Sequence, residues 1–298
     1  MRIIVTGSNG FIGSAICKKL MAHNFHVIGL DIAPIGNGVT NEYYQIDISD
    51  IINIDRISSE ISIVDCIIHT AAILDSGMFS PNVIQVNCLG TQNILRLAQY
   101  CECKQLIYIS GVTVIGIPKV LPITEEHPLN PQTVYHATKL FGEYIVNLAP
   151  NTGISTTTLR LTAPIGANMP SKRMLYQFIG NCMAGADINL YGKGTRKQNY
   201  VDVRDVASAV YSVIKNKAVG IYNIAGQTSY MNLELANKCK AILKSSSKIK
   251  FIESPDPQEG ENWSVSIDKA RQTFGYQPLY SIEDTIKDIA LGIQGIKT

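Results

Sequence analysis

The stretch VTGSNGFIGSAI, residues 5–16, spaces Gly7, Gly10 and Gly13 three apart between a short apolar run and a segment of helical period. Glycine has no Cβ, so a backbone that must turn sharply and let a phosphate come close carries it at such points. Val5 then closes a strand, Ile12 opens a helix, and the first N–H groups of that helix aim with its dipole at a diphosphate. Phe11 and Ile12 belong to that first turn and join the three glycines as expected cofactor contacts. Asp31 ends the next apolar run, 21 residues after Gly10, where a carboxylate can accept from both ribose hydroxyls of an adenosine. The following IAPIGNG offers no arginine to offset a 2′-phosphate, so NAD is expected rather than NADP. Asp47 and Ile48 come after the third strand and are candidates for the adenine, although QIDISD (45–50) also reads as a plain strand-to-helix turn.

In VYHATKLFGEYIV (134–146), Tyr135 and Lys139 stand four apart on a helical pattern, so both side chains leave one face and can converge on one ligand. A free phenol ionises near ~10 and is a poor base at neutral pH. A lysine ammonium beside it, together with the positive ring of oxidised nicotinamide, favours phenolate. Tyr135 is therefore the candidate base for a substrate hydroxyl whose carbon gives up hydride. Lys139 would also bond the nicotinamide ribose.

Apolar runs ending in polar or glycine-rich turns alternate with helix-period stretches, the pattern of βαβ units. Strands are expected at 3–5, 26–30, 43–46, 66–69, 106–109 and 156–161, and helices at 12–22, 83–101 and 135–147. Beyond residue 161 the rhythm loosens through Pro164, Gly166, Pro170 and YGKGTRKQNY (191–200). The expected fold is α/β: a doubly wound parallel sheet of Rossmann type over 1–162, with a smaller C-terminal substrate-binding lobe over 163–298. VDVRDVASAVYSVI reads as a strand-to-helix passage, with 201–215 packing back on the first domain and lobe helices at 233–243 and 282–293.

The chain's 298 residues, 46% of them apolar, are enough for one or two packed domains. Its 26 basic and 24 acidic residues are scattered, so no strip for a nucleic-acid backbone is visible and nucleic acid is not an expected partner. Seven cysteines at irregular spacing make no disulfide framework, and Cys101 and Cys103 lack the two-residue gap of a metal pair. No metal is expected. MRIIVTGSNGF is too short in apolar residues for a signal-peptide core, and no run approaches a membrane span, so a cytoplasmic protein with buried thiols is expected.

Along nearly its whole length the chain resembles the extended short-chain dehydrogenase/reductase family, the NAD-dependent sugar epimerases and dehydratases. The matching stretches are TGSNGFIG (6–13), Asp31, Asp47–Ile48 as DI, HTAA (69–72), NCLGTQNIL (87–95), TEEHPLNPQTVYHATKLFGE (124–143), LYGKGTRKQNYVDVRDVASA (190–209) and YNIAGQ (222–227). The resemblance implies the same roles for Gly7, Gly10, Gly13, Asp31, Asp47, Ile48, Tyr135 and Lys139. It adds Ala71 and Ala72 to the cofactor wall and Asn87, which supports the site from its helix. It also implies a homodimer built on a bundle that includes the tyrosine helix.

Two departures from the family pattern bear on activity. A serine or threonine is usual after the fifth strand, but in SGVTVIG (110–116) that position falls on Gly111. A lost oxyanion-type donor costs ~10²–10³ in rate, and Thr113, two residues on in a strand-like segment, is the expected substitute. Val112 and Thr113 stand where a dehydratase needs its acid and base, which disfavours dehydration. Family anchors for a substrate diphosphate are also missing: Ala163, Gln198 and about Asp256 hold those positions, leaving Arg196, Lys197, Lys172 and Arg173 as substitutes. The leading expectation is epimerisation of a sugar, nucleotide-linked or free, through a transient keto form. An NADH-using keto-sugar reductase, or an NAD sensor weakened by Gly111, are the alternatives.

Overall fold

The computed structural model describes residues 1–75, 77 and 80–295. The chain opens with β1 (Arg2–Thr6), α1 (Phe11–Met21), β2 (His26–Asp31), β3 (Glu42–Gln45), α2 (Ile51–Glu60) and β4 (Cys66–His69). α3 (Pro81–Ile84) runs through a π turn, Gln85–Leu89, into α4 (Gly90–Tyr100), and β5 (Gln105–Gly111), α5 (Val134–Val146) and β6 (Ser155–Leu161) follow. Lobe elements β7 (Ala163–Ile165), α6 (Met174–Ala184), β8 (Ile188–Tyr191) and β9 (Lys197–Asp202) precede α7 (Val203–Asn216) and β10 (Gly220–Ile224). The rest is β11 (Ser229–Met231), α8 (Asn232–Ile242), β12 (Ile249–Ile252), α9 (Asp268–Phe274) and α10 (Ile282–Ile293).

Seven parallel strands form one sheet in the order β10-β6-β5-β4-β1-β2-β3. Central strands read as unbroken apolar runs, IIV in β1 and CII in β4, because helices cover both faces. On one face α1 and α7 pack Ile16, Leu20, Val206 and Val210 over the sheet. On the other, α2 and α4 contribute Ile54, Ile57, Ile94 and Leu97. The doubly wound sheet is the one expected, and its order reverses between β1 and β4, where a crevice opens beyond the strand ends.

Three expectations need correction. The single helix over 83–101 is two α segments joined by the π turn, which swings buried Asn87 toward α5. β10, inside the range assigned to the lobe, pairs with β6 and completes the main sheet, and α9 packs against it, so more chain returns than 201–215. The segment after β5 is a 3-10 turn, Val112–Ile115, rather than strand-like. The lobe itself centres on Phe178, Ile179, Leu235 and Ile286 from α6, α8 and α10, with small sheets β11-β9-β7 and β12-β8 at its side.

A buried ion pair fastens α5 to the sheet. Arg160 of β6 meets Glu143 through Nη2–Oε2 at 2.7 Å, with both side chains at most 3% exposed. Ser110 Oγ donates to the same carboxylate at 2.6 Å and Arg160 Nη1 donates to the Glu125 carbonyl at 3.1 Å. Removing one partner strands a buried charge, which costs about 3–5 kcal/mol. Glu143→Ala is therefore expected to lower unfolding free energy in a urea titration by about that amount, and a loss below about 1 kcal/mol would mean that Arg160 finds another partner.

Candidate active site

The crevice between sheet and lobe is a cavity of about 1340 Å³. A single-ligand pocket is usually about 300–1,000 Å³, so this one has room for a dinucleotide and a second molecule. Its floor is the glycine loop. Gly7, at φ 65°, turns the chain after β1, and its N–H donates to the Leu30 carbonyl at 2.7 Å. A Cβ on Gly7 would meet the Ala71 backbone at 2.9 Å, and one on Gly13 would overlap the Gly7 carbonyl oxygen. α1 starts at Gly10 with no side-chain cap, and Phe11, Ile12 and Gly13 line the cavity. An uncapped helix start over a glycine cradle is what a diphosphate needs.

Asp31, Asp47, Ile48, Ala71 and Ala72 line the same cavity as expected. Asp31 accepts from the backbone N–H of Asn9 at 2.9 Å and of Ala33 at 3.0 Å, which orients its carboxylate and leaves each oxygen a further lone pair. Asn9 was not singled out by the sequence. Its amide also donates to the Ile35 carbonyl at 2.7 Å and folds the 32–38 loop over the glycines. Asp47 accepts from Ser49 N and Oγ at 2.9 and 2.7 Å, so the turn and cavity readings of QIDISD hold together. Asn87 stands on its helix in the supporting position expected of it, but behind the wall and not among the residues that line the cavity. Its Oδ1 accepts from Ile73 N at 2.8 Å and its Nδ2 donates to Thr138 Oγ1 at 3.0 Å, which ties the loop after β4 to the tyrosine helix.

Tyr135 and Lys139 both face the cavity from α5, whose start is capped by Thr133 Oγ1 accepting from His136 N at 3.1 Å. Lys139 is only 4% exposed, with Nζ 4.3 Å from the centroid of the Tyr108 ring. Burial pulls its ammonium down from the usual 10.5 to about 7, and the Glu143 carboxylate one turn away opposes that shift. Burial pushes the Tyr135 phenol above its usual value, and the positive charge that opposes it comes from Arg173. Lys139 is expected to favour phenolate as well, and its burial leaves the ammonium less charge to lend. His136, which also lines the cavity and has a buried Nδ1 without a partner among the described residues, was missed because nothing in its spacing distinguishes it.

Thr113 comes beside the place of the missing hydroxyl by a route other than strand alternation. A Cβ built on Gly111 would lie 3.2 Å from Thr113 Oγ1. The 3-10 turn folds the threonine back, so its hydroxyl occupies the space beside Gly111, on the cavity wall with Tyr135.

The NAD dependent epimerase/dehydratase family model matches residues 3–225. The chain belongs to that family. It is an NAD-dependent enzyme with the family's Rossmann fold. A protein of Methanocaldococcus jannaschii, provisionally assigned as a UDP-glucose 4-epimerase, is 30% identical over 96% of both chains. A dTDP-glucose 4,6-dehydratase of Streptomyces niveus is 27% identical over 95% of this chain and 90% of its own. Among solved structures, UDP-glucose 4-epimerase of Thermotoga maritima with UDP-glucose superposes with a TM-score of 0.89 at 23% identity, covering 99% of each chain.

The depressed Lys139 fixes a pH dependence in protein stripped of cofactor. Between about 7 and the ordinary lysine value the unfolded chain binds a proton that the folded chain does not, so stability from this residue rises with pH across that window. Lys139→Met is expected to flatten the rise in melting temperature between neutral and mildly alkaline pH, and an unchanged slope would place the titration elsewhere.

Proposed function

We propose that the protein interconverts epimers of a nucleotide-linked sugar by oxidising one ring hydroxyl to a keto form and reducing it again from the other face. The reading is carried by one observation: Tyr135, Lys139 and Thr113 face a single cavity whose floor is the glycine cradle and whose volume admits two ligands. When bound, NAD supplies the hydride acceptor and donor. Gly7, Gly10, Gly13 and the first turn of α1 would hold its diphosphate, Asp31 its ribose, and Asp47 and Ile48 its adenine. Tyr135 takes the proton of the substrate hydroxyl and returns it later. Arg173 and Lys139 would stabilise the phenolate before it takes that proton, when a bound oxidised nicotinamide would add further positive charge. Thr113 Oγ1 donates to the substrate oxygen, the part Gly111 cannot play. No carboxylate stands in the 110–113 stretch, which argues against dehydration.

We further propose a homodimer. Phe141, Tyr144 and Leu148 form an outward stripe on and just beyond α5, exposed by 41, 61 and 62%, beside exposed Ile84 and Leu89 at the π turn. Such a stripe suits a helical bundle with a second copy. The seven unpaired thiols fit a reducing compartment, which supports a cytoplasmic location.

With a panel of nucleotide sugars, the purified protein is expected to interconvert epimers without net change in nicotinamide absorbance. Steady consumption of added NADH would replace the epimerase with a reductase. Tyr135→Phe should abolish turnover with NAD binding intact. Thr113→Val should slow turnover about 10²-fold, and a change under about threefold would remove Thr113 from the site. Phe141→Glu combined with Tyr144→Glu should sediment as a monomer where the parent sediments as a dimer.

A further inference from the structure

Charge sits at the two ends of the cavity. Where β1 to β4 and the loops after them form its wall, the acids are Asp31, Asp47 and Asp75, and from Leu161 onward the wall carries Arg173 and Arg196. Lys172 and Lys197, the other basic residues expected as substitute anchors, do not line it. β5 lies between those ends in the sheet, and the wall built by its C-terminal end and α5 has Lys139 as its one charged side chain among the described residues. A neutral ring carrying hydroxyls fits that stretch, where an ionised group would find few partners.

The start of α5 presents two flanks there. Thr138, three residues after Tyr135, accepts from Asn87 Nδ2 at 3.0 Å and so faces the loop after β4, on the cofactor side. Leu140, one turn beyond His136, packs on the other side against Val112, Val114 and Ile115, the turn that carries Thr113, with Trp263 of the lobe against the same cluster. His136 belongs to that second flank and lines the cavity. Its N–H donates to Thr133 Oγ1, which fixes the backbone, and its ring meets Tyr135 edge-on with centroids 5.7 Å apart.

Two lobe donors that line the cavity are already engaged: Trp263 Nε1 and Gln258 Nε2 both donate to Glu261 Oε2, at 3.0 and 3.1 Å. The indole has no other side-chain donor, so it offers the cavity an apolar surface. His136 Nδ1, by contrast, is buried with no partner among the described residues. Burial holds the imidazole below its usual ionisation, so at neutral pH it presents one N–H and one lone pair instead of a charge. An unpaired buried nitrogen is costly, and a ligand hydroxyl, able to donate or accept, satisfies either tautomer.

We propose that His136 Nδ1 hydrogen-bonds a free hydroxyl on the sugar carbon next to the one that is oxidised, and so favours a sugar carrying that hydroxyl over its deoxy counterpart. The assignment rests on the nucleotide-sugar reading above and adds to it a residue that reads the sugar itself. Tyr135 and Thr113 share the reacting oxygen, and His136, beside Tyr135 on the flank toward Thr113, meets the neighbouring one.

The test is calorimetric, in NAD-loaded Tyr135→Phe protein so that no turnover intervenes, with UDP-glucose and its 2-, 3- and 6-deoxy analogues. One analogue is expected to bind about 3–10-fold more weakly than UDP-glucose, the worth of a neutral hydrogen bond. Adding His136→Leu should weaken UDP-glucose by about that factor and leave that analogue level with it, while NAD affinity stays unchanged and shows the fold intact. His136→Asn, which places a polar atom where Nδ1 stands, should restore the discrimination, and His136→Gln, whose amide reaches further, should not. The same deoxy pattern in His136→Leu, an equal loss on every ligand without rescue by Asn, or no deoxy penalty in the Tyr135→Phe protein would each overturn the role of His136 and leave the nucleotide-sugar reading standing. Failure of that protein to bind UDP-glucose or any analogue would overturn both.

Discussion

Everything in the site depends on how closely α1 approaches the end of β1. Gly13 packs against the Gly7 carbonyl with no room for a methyl group, and Gly7 in turn lies against the backbone of Ala71 beyond β4. Three pieces of main chain meet there because glycine removes the side chains that would separate them. The contact holds the uncapped start of α1 at the mouth of the crevice where the sheet order reverses. It is thus a packing constraint and a binding feature in one.

Around that contact the protein also buries charged side chains. Glu143 and Arg160 lock α5 to β5 and β6 from behind, and Lys139 lies between that pair and the cavity. His69, wedged between Thr6 Oγ1 at 2.8 Å and Thr91 Oγ1 at 3.0 Å, is kept neutral by burial. Lys139 is therefore poised between charged and neutral forms by its surroundings, not by the spacing of its motif. An isolated helix carrying the same tyrosine and lysine would hold both near their ordinary values, since water would screen Glu143 and solvate the ammonium.

The lobe completes the site by contributing charge of the opposite sign. Asp202 links the two parts: it caps α7 through Arg204 N at 2.8 Å and accepts from Thr285 Oγ1 of α10 at 2.6 Å. Asp205 on α7 receives the backbone N–H groups of Leu279 and Tyr280 at 2.9 and 3.2 Å. The returning segment thus fixes the arginine-bearing wall relative to the glycine loop, which is why α7 and β10 belong with the first domain although they follow most of the lobe strands in the chain.

Local chemistry was legible in the amino-acid order. The glycine spacing, Asp31 at the end of β2, the tyrosine and lysine one helical turn apart and the alternation of apolar runs each act over a few residues, so they identified the sheet and the cofactor and pointed to Tyr135 and Lys139 as the candidate pair without coordinates. Contacts between distant segments were hidden. That Thr113 fills the space beside Gly111, that Asn87 stands behind the wall, that Arg173 opposes the effect of burial on Tyr135, and that β10 closes the sheet all follow from how remote segments pack. Burial and electrostatics are properties of a neighbourhood, and the neighbourhood exists only once the chain has folded.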